Sequence, residues 1–475
     1  MTQPLKRIIQ FLLACLLVFF SFFIYHVFTI VSGYGAKTLC SAIFIGGRQA
    51  EDVASNELGG LPFKLGTYSI DFKDSSVTAS VFGFTQKKAK YISGIGAVLI
   101  NDIAVDSAPV NRLQSYVLPR FDTVRPHVMW PDGDIIEKTP FVTLDNQRLQ
   151  AVVARAFVEP GKKALRRTRS VVVVYNGKIV AERYAPGFSM YSKQPGWSMA
   201  KSITNAMVGI LVKNGQLDIN RPAPVSEWKH DERSHITTKQ LMQMNSGLRW
   251  WDFYLGPSDA TDMLFNENDM GGYALKSPLE HKPGSVFSYS GGSANIVSKI
   301  VRQTLGDNRY YRFPYDSLFH KIGMYNTLLE VDAAGTFVGS SYCYATARDW
   351  ARFGLLYLND GLWNGERILP EGWVKFTATV SSAENNGGAG SYGALWWVNK
   401  PLGTKPLERK YPHVPEDCFS CEGYEGQSVW VIPSKKLVVV RLSQEEGNKL
   451  DRDKFLAEII ASLPKENNRE WLVSK

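Results

Sequence analysis

The sequence predicts an α/β domain: an antiparallel sheet flanked by helices and carrying an inserted helical subdomain, with an N-terminal transmembrane helix ahead of it. Three observations predict this. Residues 8–31, IIQFLLACLLVFFSFFIYHVFTIV, contain no acid, lysine or arginine. The run SVVVVYNGKIVAERY (170–184) is β-rich on both sides of Asn176-Gly177, and QSVWVIPSKKLVVVRLS (427–443) repeats the pattern far downstream. The stretch between them reads mostly as helix.

The apolar run comes first. At 1.5 Å per residue it gives about 36 Å of helix, enough for a hydrocarbon layer of about 30 Å. A cleavable signal has a shorter apolar region and a small-x-small site. GYGAKTLCSA is a poor one, and Leu39 before Cys40 rules out a lipoprotein box. Lys6 and Arg7 orient the helix N-terminus inside. The expectation is a single-pass inner-membrane protein anchored by residues 8–31, with its catalytic domain periplasmic; a cleaved signal leads to the same compartment. Residues 1–7 are then a cytoplasmic tail. Residues 32–165 form a membrane-proximal region of unknown role: a Gly-rich segment to residue 50, then short strands (SVTASVFGF, GIGAVLI) broken by Pro109, Pro119, Pro126 and Pro131. The domain proper spans 166–465, and 466–475 is a C-terminal tail.

Within that domain, Asn-Gly supplies the two positive-φ positions of a tight hairpin. TTKQLMQMNSG (237–247) has Thr237 as a cap and Gly247 as a stop, TARDWARFGLLYLNDG (346–361) opens on Thr346 and Asp349, and DKFLAEIIASL (453–463) is amphipathic.

Over the 475 residues, 44% hydrophobic and 21% charged content is that of a folded protein. The net charge of +9 is dispersed, with no run of five basic residues, which argues against nucleic acid as a partner. Cys15 lies in the apolar run; Cys40, Cys343, Cys418 and Cys421 allow disulfides in an oxidising compartment. CFSC (418–421) lacks a second pair or a nearby histidine, so no metal or other cofactor is expected.

Ser-x-x-Lys occurs three times. Ser226-Lys229 follows RPAPV in a loop, and Pro464 breaks Ser462-Lys465. Only GWSMAKSITNAMVGILV (196–212) opens a helix: QPG breaks the chain before it, and Met199, Ile203, Met207, Ile210 and Leu211 form an apolar face. Residues i and i+3 share a face, so Lys201 sits beside Ser198. Desolvation there favours the neutral amine, able to take the serine proton, and the helix N-terminus favours an oxyanion. Alone, the motif reads as readily as an N-cap serine with a lysine reaching to water. Two further segments bear on it. KPGSVFSYSGGSAN (282–295) sets Tyr289 on a loop ahead of a helix, placed to relay protons. EGYEGQSVWVIP (422–433) brackets Tyr424-Glu425 between Gly423 and Gly426 at a strand start, where the amide of Gln427 completes an oxyanion hole with that of Ser198. Trp250, Trp251, Tyr254, Trp396 and Trp397 are aromatic candidates for the pocket wall, with Trp250 and Trp397 foremost.

Ser198-x-x-Lys201, Tyr289-Ser290-Gly291 and Tyr424-Glu425-Gly426, in that order, resemble the motifs of the penicillin-recognising serine hydrolases. ITTKQLMQMNSGLRW, KPGSVFSYS and GYEGQSVWVIPSKKLVVVRL look like the branch that holds class C β-lactamases, family VIII esterases and 6-aminohexanoate-dimer hydrolase. The resemblance covers about residues 166–465. It implies a β-lactamase-like fold, an acyl-enzyme on Ser198, Lys201 and Tyr289 as proton carriers, and Tyr424, Glu425, Gly426 and Gln427 as the oxyanion and substrate edge. Two departures matter. Tyr-Ser-Gly stands where class C enzymes have Tyr-Ala-Asn, and Tyr-Glu-Gly where they have Lys-Thr-Gly. Losing that lysine disfavours an anionic substrate end, hence antibiotics and D-Ala-D-Ala peptides. The expected activity is hydrolysis of a small-molecule or peptide-like ester or amide. A catalytically silent binding protein of the same fold and a D,D-carboxypeptidase are the competing readings. A Ser-His-Asp triad finds no support, since no complete Gly-x-Ser-x-Gly elbow exists.

Overall fold

A computed structural model of the chain describes residues 3–101, 127–136, 144–161, 165–381, 391–401, 409–447 and 449–464. Three of the four prolines expected to break the membrane-proximal region, and the C-terminal tail, lie outside these ranges.

Asn176 and Gly177 both take left-handed backbone, with φ of 48° and 78°, and close the hairpin between β5 (Thr168–Tyr175) and β6 (Lys178–Tyr184). Four strands precede these, β1 (Gly66–Asp71), β2 (Ser76–Val81), β3 (Phe84–Ile92) and β4 (Gly96–Ile100), in a separate antiparallel meander. Downstream lie β7 (Ser391–Tyr392), β8 (Trp397–Val398), β9 (Phe419–Gly423), β10 (Gln427–Ile432) and β11 (Leu437–Ser443). The main sheet runs β7-β8-β9-β10-β11-β5-β6. The join is β11 to β5, antiparallel, with Leu437 opposite Tyr175 and Val440 opposite Val172. The valines that alternate across this join are buried on both faces, so each face must be covered.

One face is covered by α2 (Asn146–Arg155) and the C-terminal helix Arg452–Ile460, through Leu149, Val153, Phe455 and Ile459. The other carries the helical insertion: α3 (Ala200–Lys213), α4 (Gly291–Leu305) and α5 (Ala347–Leu358). Gly354 of α5 lets the helix sit directly on the sheet; a Cβ there would lie 2.5 Å from Val438. Thr346 caps α5 by accepting from the Asp349 amide at 3.0 Å. Thr237 forms a capping box with Gln240, but the helix it starts ends at Met242, short of Gly247.

The N-terminal helix departs from expectation. Here α1 runs Gln3–Phe44 without a break, so the Gly-rich segment is helix from residue 32 to residue 44. Its first part is exposed and apolar, with a mean hydropathy of 2.5 in its most apolar window. From Ile30 onward it is buried in the same core as α3 and α4. Gly33 and Gly35 are packing positions: a Cβ on Gly33 would meet the Phe265 carbonyl oxygen at 2.5 Å, and one on Gly35 the Tyr68 ring at 2.2 Å. The meander β1–β4 wraps this half of α1, so residues 32–100 share a core with the domain that follows. A polar knot fixes the arrangement. Glu330 accepts from Lys37 Nζ at 2.6 Å, Ser41 Oγ at 3.0 Å and the Ala97 amide at 2.8 Å. Residues 131–134 are likewise held, by Arg348 and Arg352.

Candidate active site

Ser198 lies in the turn Trp197–Met199 that leads into α3. Its position is set from both sides. The Gly196 amide donates to the Cys343 carbonyl at 2.7 Å. Trp197 is held in left-handed backbone, φ 47°, a conformation a bulky residue adopts only where its surroundings impose it. One turn on, Lys201 is 1% exposed and donates to Ser198 Oγ at 3.1 Å and to the Ser340 carbonyl at 3.0 Å. Burial pulls its pKa down to about 8, with Asp252 partly opposing the shift. The ring of Tyr289 lies 4.8 Å from Lys201 Nζ, and Tyr289 lines the same cavity as Ser198. Burial, then the charge of Asp252, pushes the phenol well above its ordinary value.

The cavity that Ser198 and Tyr289 line is about 250 Å³, and Lys201 is buried against Ser198 outside that lining. Trp397 lines the cavity, stacked on Tyr289 at 5.4 Å, and so does Tyr254. Trp250 does not: its ring packs over Gly292, and its Nε1 donates to Asp252 at 3.0 Å. Trp250 therefore supports the wall from behind.

The third motif also moves. The cleft is bounded by Glu422, Gly423 and Tyr424, not by Gly426 and Gln427. β9 ends at Gly423, and residues 424–426 are the turn, with φ of 59° at Glu425 and 86° at Gly426. A Cβ on Gly423 would lie 2.1 Å from the Gly196 carbonyl oxygen, so the strand end touches the serine turn backbone to backbone. Gln427 is buried, its side chain bonded to the Ser443 backbone, and Gly426 abuts Arg441 and Glu445. Glu425 points to a second cavity behind the cleft, shared with Arg169 and Glu57. There burial, opposed by Arg169, raises its carboxyl to about 7.

Several cleft residues gave no sequence signal. Ile30 and Tyr34 come from α1, Phe63 from the turn before β1 and Phe265 from the insertion. Asp252 accepts from the Gly291 amide at 3.0 Å, and its carboxylate lies 3.5 Å from where a Cβ on Gly291 would be. An acid thus lies beside the glycine of Tyr-Ser-Gly, at van der Waals distance. Lys410 reaches the wall over Trp397, 4.4 Å from its ring, and donates to Glu422 at 2.8 Å. Burial opposes charge on Glu422, but Lys410 and Arg452 hold its carboxyl down to about 2. All five cysteines are unpaired.

A Ser–Lys–Tyr cluster with its lysine buried, at the foot of a helix and beside a strand end of an antiparallel sheet, is the arrangement of β-lactamase-like hydrolases. The Beta-lactamase family model matches residues 153–462, and the chain belongs to that family. A 6-aminohexanoate-dimer hydrolase of Paenarthrobacter ureafaciens is 25% identical over 302 residues, 58% of this chain and 72% of that protein. Among solved structures, a penicillin-binding protein homolog from Caulobacter crescentus superposes with a TM-score of 0.54 at 17% identity, covering 70% of this chain and 100% of the other. A family VIII carboxylesterase gives 0.54 at 15% identity, covering 70% and 99%. These likenesses establish the fold.

Proposed function

We propose that the protein is a membrane-anchored serine hydrolase that cleaves an ester or amide through an acyl-enzyme on Ser198. The observation that carries this reading is the 3.1 Å contact between Ser198 Oγ and a buried lysine whose pKa lies near 8. The neutral amine of Lys201 takes the serine proton while Oγ bonds to the substrate carbonyl carbon. The C–O or C–N bond then breaks, and the leaving alcohol or amine takes the Tyr289 hydroxyl proton as the Lys201 ammonium returns one to that oxygen, so the phenol ends the step neutral. Water attacks the acyl group, releasing the acid and restoring the serine. The amides of Ser198 and Tyr424 are the oxyanion donors, Tyr424 replacing Gln427 because it borders the cleft.

Lys410 brings a cation to the wall where the third motif lacks one, but it is already paired at 2.8 Å with the Glu422 carboxylate, which also lines the cleft. A substrate with a free carboxylate gains little there, which favours an ester or amide with a neutral end over a D-Ala-D-Ala peptide. Export and N-in orientation follow the reading of α1 as the anchor. The test is a panel of neutral esters, amides and D-Ala-D-Ala peptides on the full-length protein in detergent. Turnover of neutral substrates that vanishes in Ser198→Ala supports the reading. Release of D-alanine in preference supports the carboxypeptidase, and no turnover of any substrate supports the silent binder.

A further inference from the structure

We infer that the substrate of this cleft is a membrane-resident amphiphile, an ester or amide bearing a long acyl chain, which enters from the bilayer beside α1. The inference rests on the hydrolase reading and names its substrate class.

The anchor and the cleft share a wall. α1 is exposed and apolar through Tyr25, 54% exposed, and Ile30 already lines the cavity. Five residues of helix are about 8 Å. The catalytic cavity therefore begins within two turns of the segment that sits among lipid tails.

The surface around that exit point suits a bilayer. On one side the β2–β3 turn presents Phe82 and Phe84, each 64% exposed. Phe82 packs edge-on against Phe28 at 5.7 Å, and Thr85 meets Ser32 at 3.0 Å, so this turn lies beside α1. On the other side, His26 bonds Asp262 at 2.5 Å and so ties α1 to the helix Asp259–Asn266. The loop before that helix exposes Trp251, Phe253 and Leu255, the last at 84%. Exposed aromatic and apolar side chains bracketing a membrane helix are what an interfacial belt requires, and in water they are a liability. Tyr254, between two of these collar residues, turns inward to the cleft. One loop thus faces lipid and substrate together.

The cavity is graded in polarity in the same sense. Ile30, Tyr34, Phe63 and Phe265 form its α1 end, with Tyr34 packed on Phe63 at 4.3 Å and on Phe265 at 5.5 Å. Trp397 and the Lys410–Glu422 pair form the other end. Ser198 lies between, next to Trp197, which stacks with Tyr34 of the first cluster, and on the same cavity wall as Tyr289, which stacks on Trp397 of the second. An acyl chain fits the first end, a polar head the second, and the scissile carbonyl falls at the serine.

The experiment uses the full-length protein in phosphatidylethanolamine–phosphatidylglycerol vesicles. It compares p-nitrophenyl palmitate carried in the bilayer with p-nitrophenyl acetate in the water, with Ser198→Ala subtracted as background. The palmitate is turned over about tenfold or more faster, because binding of the remote chain is used at the reacting centre. Phe82→Asp combined with Phe84→Asp loses most of the palmitate turnover and keeps that of acetate. Acetate turned over as fast as palmitate, or palmitate turnover untouched by the two aspartates, overturns the inference and leaves the hydrolase reading standing. Should the double variant lose both activities, Trp251→Asp on the other side of α1 decides: palmitate turnover alone falling supports the inference, and both or neither falling overturns it. Neither ester cleaved by the wild type, with Ser198 inert to a fluorophosphonate, removes the hydrolase reading and the inference with it.

Discussion

Lys201 serves as a base only while its amine is uncharged, and this fixes the pH behaviour. Burial holds its pKa at about 8, below that of a free lysine, so the protonated form dominates below that value and acylation falls as pH drops through it. A profile of kcat/KM against pH should show one acid limb near 8. Lys201→Ala should lower kcat/KM by about 10²–10⁴-fold, within the range for loss of a general base. Asp252 carries a second test, because its charge raises the pKa of Lys201. Asp252→Asn should move the acid limb to lower pH, a displacement that mere loss of packing would not produce. The Ser198–Lys201 pair was legible because i and i+3 on a helix are neighbours in any fold. Asp252 was not, since its contact with Gly291 is made across 39 residues and nothing local marks it.

Elements closed by local chemistry were equally legible. Asn176-Gly177 demands a hairpin, and the capping pair Thr346–Asp349 demands a helix start. The continuation of α1 through residues 32–44 was not legible, because glycine is a poor helix former, whereas in the fold Gly33 and Gly35 admit Phe265 and Tyr68 against α1. The cleft edge formed by the third motif was less legible, because Tyr424-Glu425-Gly426 reads as a strand start; it is the turn after a strand, and the lining residues are Glu422, Gly423 and Tyr424. What holds α1 in place is testable at this scale. Lys37 and Glu330 are 4% and 1% exposed in their side chains. Removing one member of such a pair strands the other charge and costs about 3–5 kcal/mol. Glu330→Ala should lower the unfolding free energy of the detergent-solubilised protein by that amount, measured by urea denaturation; a change below about 1 kcal/mol would place the pair among weak surface bridges.

At the scale of the whole molecule, α1 is at once candidate anchor and cleft wall. Deleting residues 1–25 should leave a folded domain, because the buried part of the helix begins after them. Deleting residues 1–45 should not, since Tyr34, Leu39 and Cys40 are then missing from the core. Gel filtration and circular dichroism of the two truncations check this, with aggregation confined to the longer deletion. All of these expectations presuppose one chemical event. Its most direct measurement is the mass of the intact full-length protein after exposure to a fluorophosphonate, with the adduct mapped to a residue and its rate followed from pH 6 to 10. A single adduct on Ser198, forming faster as pH rises through about 8 and absent in Ser198→Ala, is the predicted result. An adduct on another residue, or equal labelling of the alanine variant, would contradict it.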